Sequence, residues 1–152
     1  MTRASLVALS LALVVVTTAG CADTTAPRRV TTIADLAGDW ALTAWDAVSV
    51  TDTTRRLDLK TQLGADATLE IAASGAAVFT ASVYGQAPTV QQVTLTLVGD
   101  TLVYHEFAGD TRFLLDATHD RMTWHGVIPQ YQDVDGDGTP DETRTWMVFV
   151  RL

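Results

Sequence analysis

The stretch "VTLTLVGDTLVYHEF", residues 93 to 107, decides the fold. Val93, Leu95 and Leu97 alternate with Thr94 and Thr96. A period of two describes a strand with one face in an apolar core and the other in water. "VGD" at 98–100 follows, where Gly and Asp supply the positive-φ positions of a tight hairpin. The same pattern extends in both directions. Leu69 and Ile71 alternate with Thr68 and Glu70, and Met122 and Trp124 with Arg121 and Thr123. Turn signals stand at "SG" 74–75, "YGQAP" 84–88, "AGD" 108–110 and "THD" 118–120. These predict strands at 38–50, 66–73, 76–84, 89–98, 101–107, 111–117, 120–131 and 142–151. "IADLAG", 33–38, has the look of one helical turn capped by Thr32. Short strands at hairpin spacing make an all-β chain, a single antiparallel up-and-down β-barrel of about eight strands, with a β-sandwich as the alternative.

In the last strand Trp146, Val148 and Val150 share one face, and Met147 and Phe149 the other. A strand apolar on both faces is covered on both, or lines a cavity on one. A filled core and an interior pocket for an apolar ligand are both open at this point.

Residues 1–20 read as a secretory signal peptide. Arg3 gives a positive start, and "LVALSLALVVV", 6–16, is an apolar run too short to span a bilayer. "TAGC", 18–21, resembles the lipobox of bacterial lipoproteins at Ala19, Gly20 and Cys21, with Thr18 where Leu is usual. The resemblance implies that Cys21 becomes the acylated first residue of the mature chain; ordinary secretion with a free thiol is the alternative. An exposed lone cysteine in an oxidising compartment is a liability, which favours acylation. Each buried methylene of the acyl chains adds about 0.8 kcal/mol of membrane anchoring. Ala22 rather than Asp follows the cysteine, which in lipoprotein sorting favours the outer membrane where an organism has one. Residues 21–34, polar, rich in Thr and interrupted by Pro27, form a flexible tether, and 35–152 form one domain.

The formal charge is −8, and removing Arg3 makes it one unit more negative. Five of the negative charges stand between 133 and 142, so the rest is only mildly acidic. Phosphate recognition needs a basic face, so nucleic acid is not an expected partner. With one cysteine, no disulfide forms within the chain and the fold rests on its apolar core.

The domain opens with "LAGDWALTAW", 36–45. Leu36, Gly38 and Trp40 resemble the Gly-x-Trp opening of the first strand in lipocalins. That resemblance implies that Trp40 closes the barrel floor, with Arg151 from the last strand packed over it. "GDTL", 99–102, extends the likeness to bacterial lipocalin-like lipoproteins, which can carry an Asp/Gly-rich loop before the final strand.

Such a loop is present as "DVDGDGTPDE", 133–142. With Asp133 as position 1, Asp135 is 3, Asp137 is 5, Gly138 is 6, Thr139 offers its carbonyl at 7, and Asp141 is 9. Alternating oxygen ligands round a sharp glycine turn suit calcium, which takes six to eight oxygens. Position 12, where a helical hand needs Glu, is Arg144. The pattern resembles the strand-flanked Asp-x-Asp-x-Asp-Gly-x-x-Asp loops of integrin-type propellers. A partial ligand set implies weak structural binding, on the order of 10⁻⁴ to 10⁻³ M. The alternative is an acidic turn whose Asp side chains cap backbone amides.

No Gly-x-Ser-x-Gly elbow, phosphate loop or Cys–His pair is present, and His105, His119 and His125 lack an evident third zinc ligand. No enzyme activity is expected. Two readings follow: a membrane-anchored lipocalin-like lipoprotein that binds a small hydrophobic ligand, or a calcium-stabilised structural or interaction module with a solid core.

Overall fold

A computed structural model describes residues 30–152 of the chain. Residues 1–29, among them the segment read as a signal peptide, Cys21 and most of the expected tether, lie outside the described residues. The alternating segments form ten strands: β1 (Gly38–Ser49), β2 (Arg56–Asp58), β3 (Asp66–Ile71), β4 (Ala76–Ser82), β5 (Thr89–Val98), β6 (Thr101–Glu106), β7 (Gly109–Ala117), β8 (Arg121–Gly126), β9 (Gln130–Gln132) and β10 (Asp141–Arg151). Eight of them, all but β2 and β9, run up and down round a closed antiparallel barrel, and pairing of β1 with β10 shuts the ring. Closure leaves no exposed barrel edge to aggregate.

In the hairpin that decides the fold, Leu95 stands opposite Tyr104 and Leu97 opposite Leu102. Leu95 and Leu102 are fully buried, while Thr94 and Thr96 face water. The predicted strand 120–131 is two strands instead. Pro129 has no N–H to donate, and the ladder to β10 stops at His125 and resumes at Gln130. Strand β2 and the four-residue helix α1 (Leu59–Gln62) come from a segment with no clear period, and Asp58 caps α1 by accepting from the Thr61 N–H at 2.9 Å.

Strands β1 and β10 run on past the barrel rim. There Asp46–Val48 pair with β2 and Asp141–Thr143 with β9, giving a ribbon ordered β2–β1–β10–β9. The acidic loop is the turn between β9 and β10, at the tip of this ribbon.

Between Leu42 and Ala44 the register of β1 slips at Thr43, and the Thr43 hydroxyl donates to Val148 O at 3.2 Å. Leu42 pairs with Phe149 and Trp45 with Met147, so both sides of the bulge point into the barrel. Without it, Trp45 would face solvent.

The core fills the end where β1 begins. Leu36, Trp40, Leu69, Leu95, Leu102, Met122 and Phe149 have no exposed surface. Each such side chain contributes about 1.5–3 kcal/mol by leaving water.

Candidate functional site

Two places gather chemistry, the barrel interior with its floor and the acidic loop. At the floor, a short 3₁₀ turn (Ile33–Leu36) crosses beneath the barrel and inserts Leu36. The Asp35 carboxylate ties down the start of this turn, accepting from the Thr31 and Thr32 N–H groups at 3.1 and 2.9 Å and from the Thr32 hydroxyl at 2.9 Å. Those bonds, the Thr31 amide foremost, lower its pKa to about 2. Trp40 donates its indole N–H to Leu36 O at 2.8 Å.

Arg151 lies over Trp40, its guanidinium carbon 4.4 Å from the ring centre. It donates to His119 O and Ala37 O, both at 2.6 Å, and to Asp35 O at 3.1 Å. One side chain thereby satisfies three carbonyls and ties the 3₁₀ turn to the β7–β8 turn. Gly38 sits at φ +133, and a Cβ there would collide with the Arg151 guanidinium. The glycine of the Gly-x-Trp opening is thus required twice, for its backbone conformation and for the space the arginine takes.

Above this floor the barrel is hollow. A cavity of about 300 Å³ opens at the opposite end, walled by Trp45, Phe79, Tyr104, Phe113, Trp124 and Met147, with Ala67 and Ala81 among its small residues. The rings pack edge-on or tilted: Phe113 and Phe149 lie 5.1 and 5.0 Å from Trp124, and Tyr104 lies 6.4 Å from both Phe79 and Trp124. These contacts fix the rings against one another. Tyr104 donates to Gln91 Oε1 at 3.0 Å. Burial, then the neighbouring Glu106 carboxylate, pushes its phenol above the usual range, so it stays protonated. Asp66, Gln91 and Glu106 stand among the lining residues, and none of those residues is basic. Of the two faces of the last strand, the one with Met147 and Phe149 turns inward: Met147 lines the cavity and Phe149 is wholly buried.

In the acidic loop, Asp133, Asp135 and Asp141 each offer a carboxylate oxygen, all within 4.8 Å of one another, and together can hold a metal ion. The Asp133 carboxylate accepts from the Gly138 N–H at 2.9 Å and the Gly136 N–H at 2.7 Å. The Gly138 bond leads in holding its pKa below the ordinary range. Asp137 does not join the three; its carboxylate accepts from the Thr139 N–H at 2.7 Å. Asp135 meets Arg55, from the β1–β2 turn, at 2.6 Å. The sequence had given no sign of that cation.

The histidines lie elsewhere. His105 bonds Thr96 and Asp110 on the outer wall at 2.9 and 2.7 Å, His119 bonds Asp120 at 2.7 Å, and His125 packs edge-on against Trp146. The bulge that turns Trp45 inward, like Arg55 at the loop, was missed by sequence reading. The bulge's one trace is the broken alternation of "WALTAW".

Comparison of the chain with protein-family models, curated proteins and solved structures finds no match.

Proposed function

We propose that this chain is a lipid-anchored, extracytoplasmic, lipocalin-like protein that binds a small hydrophobic molecule in the open end of its barrel. The observation that carries the reading is the aromatic-walled cavity of about 300 Å³ above a sealed floor. A cavity of about 150 Å³ accommodates benzene, so this one suits about a dozen heavy atoms. Apolar walls with a few placed polar groups are the usual make-up of a small-molecule site. The Gly-x-Trp opening and the lipobox-like "TAGC" support the rest: Cys21 carries the lipid, and the tether holds the barrel off the membrane.

Calcium in the acidic loop belongs to the same reading. Asp133, Asp135 and Asp141 supply hard oxygen donors, and water completes a shell that calcium tolerates in irregular form. Bound there, it neutralises carboxylates that otherwise repel one another, fixing the β9–β10 turn.

Calorimetric titration of the full chain with octan-1-ol tests the binding claim. Saturable binding is expected, and Ala81→Trp, which fills the cavity from β4, abolishes it. Equal binding by the filled variant, or none by the wild type, leaves the solid-module reading standing. Anchoring has its own test: Cys21→Ser moves the protein from the membrane fraction to the soluble one, and unchanged membrane association refutes lipidation.

A further inference from the structure

We infer that the ligand of this cavity carries a protonated amine, its apolar body in the aromatic well and its ammonium at the mouth beside Glu106. The inference rests on the binding reading above and adds the head-group class. Only two ionisable carboxylates, Asp66 and Glu106, and no Lys, Arg or His, stand among the lining residues. Lys60 reaches Asp66 from outside at 4.0 Å and also donates to Ala65 O, so Asp66 is already shared. Glu106 has no ion pair among the described residues, and it ends β6 on the inward side of the strand, two residues beyond Tyr104.

The neutral groups are mixed: the Trp45 indole N–H is a buried donor without a partner among the described residues, while Tyr104 offers an acceptor. Tyr104 spends its proton on Gln91, so its oxygen faces a newcomer as an acceptor. An ammonium brings donors alone, and a carboxylate acceptors alone. The hydroxyls of Ser82 and Thr111 can serve either, so the ionised groups decide the sign. The faces of Trp45, Phe79 and Phe113 add further sites for a cation, and the chain's −8 charge disfavours an anion from the outset.

The test compares octylamine, octan-1-ol and octanoate, three head groups on one tail short enough for the cavity, by calorimetric titration of the full chain at neutral pH. The expected order is amine, alcohol, carboxylate, with about tenfold at most between the first and last, because the charges at the mouth are exposed. Glu106→Gln brings the amine down to the alcohol. Added salt narrows the gap. Octanoate binding as tightly as octylamine overturns the head-group inference and leaves the cavity's binding role intact. An amine preference that survives Glu106→Gln also overturns it, since the charge at work then lies elsewhere. Failure of all three to bind overturns the binding reading as well.

Discussion

At the floor of the barrel a guanidinium occupies the space where a Cβ would stand, while at the mouth about 300 Å³ stays open among five aromatic rings. The same eight strands make both ends. At the floor the carbonyls at the end of the 3₁₀ turn are met: Trp40 bonds Leu36, and Arg151 takes Asp35 and Ala37 together with His119 of the neighbouring turn. At the mouth large rings stand next to Ala67 and Ala81, small residues that leave the volume between them unfilled. Close packing is therefore concentrated at one end and open volume at the other, and on the proposed function these carry stability and binding respectively. Substitutions at the two ends should separate these properties.

The largest effect is expected from Trp40→Ala. Removing a fully buried indole costs about 3–5 kcal/mol, enough to lower Tm by well over ten degrees or unfold the chain. Gly38→Ala comes next, at about 1–3 kcal/mol, because it imposes a strained φ and displaces the guanidinium. Thermal melts measure both. Where Gly38→Ala still folds, its affinity for octan-1-ol should stay within about twofold of wild type. A large loss of affinity would break the separation of the ends.

The proposed calcium site lies at the mouth end, in the ribbon, where Asp133, Asp135 and Asp141 meet. At ten times its Kd calcium should stabilise by about 1.4 kcal/mol, raising Tm by several degrees, with magnesium doing much less because it demands a regular octahedron. Asp135→Asn combined with Asp141→Asn should remove the difference. If calcium changes neither Tm nor hydrogen exchange of the β9–β10 turn, Arg55 alone neutralises the loop and the stretch is an acidic turn.

The smallest effect is a pH dependence at the floor. Asp35 has a carboxyl lowered to about 2, against roughly 3.9 in an unfolded chain. Its stabilisation is present in full above the unfolded value and fades as pH falls from about 4 toward 2. The Tm gap between wild type and Asp35→Asn should be constant above pH 5 and shrink across that window.

The strands were legible because Leu95, Leu69 and Met122 each sit in a clean alternation, and one buried face is all that a hairpin needs to set its register. Pro129 was visible too, but its neighbours Val127, Ile128 and Tyr131 are apolar and carried the predicted strand across it. The Thr43 bulge was not legible, since one extra residue in an apolar strand changes facing without changing composition. For the acidic loop, spacing alone suggested five ligands. The structure groups Asp133, Asp135 and Asp141, and backbone amides compete for the remaining oxygens at distances no spacing encodes.

The chain's four tryptophans give the most direct test of a hollow, binding mouth over a sealed floor. Trp45 and Trp124 line the cavity, Trp40 lies buried in the floor, and Trp146 packs on the outer wall against His125. In a ¹⁵N-labelled chain titrated with octan-1-ol, the indole N–H signals of Trp45 and Trp124 should shift together and saturate, while those of Trp40 and Trp146 hold still. Movement of Trp146 alone, or of none of the four, would contradict the account.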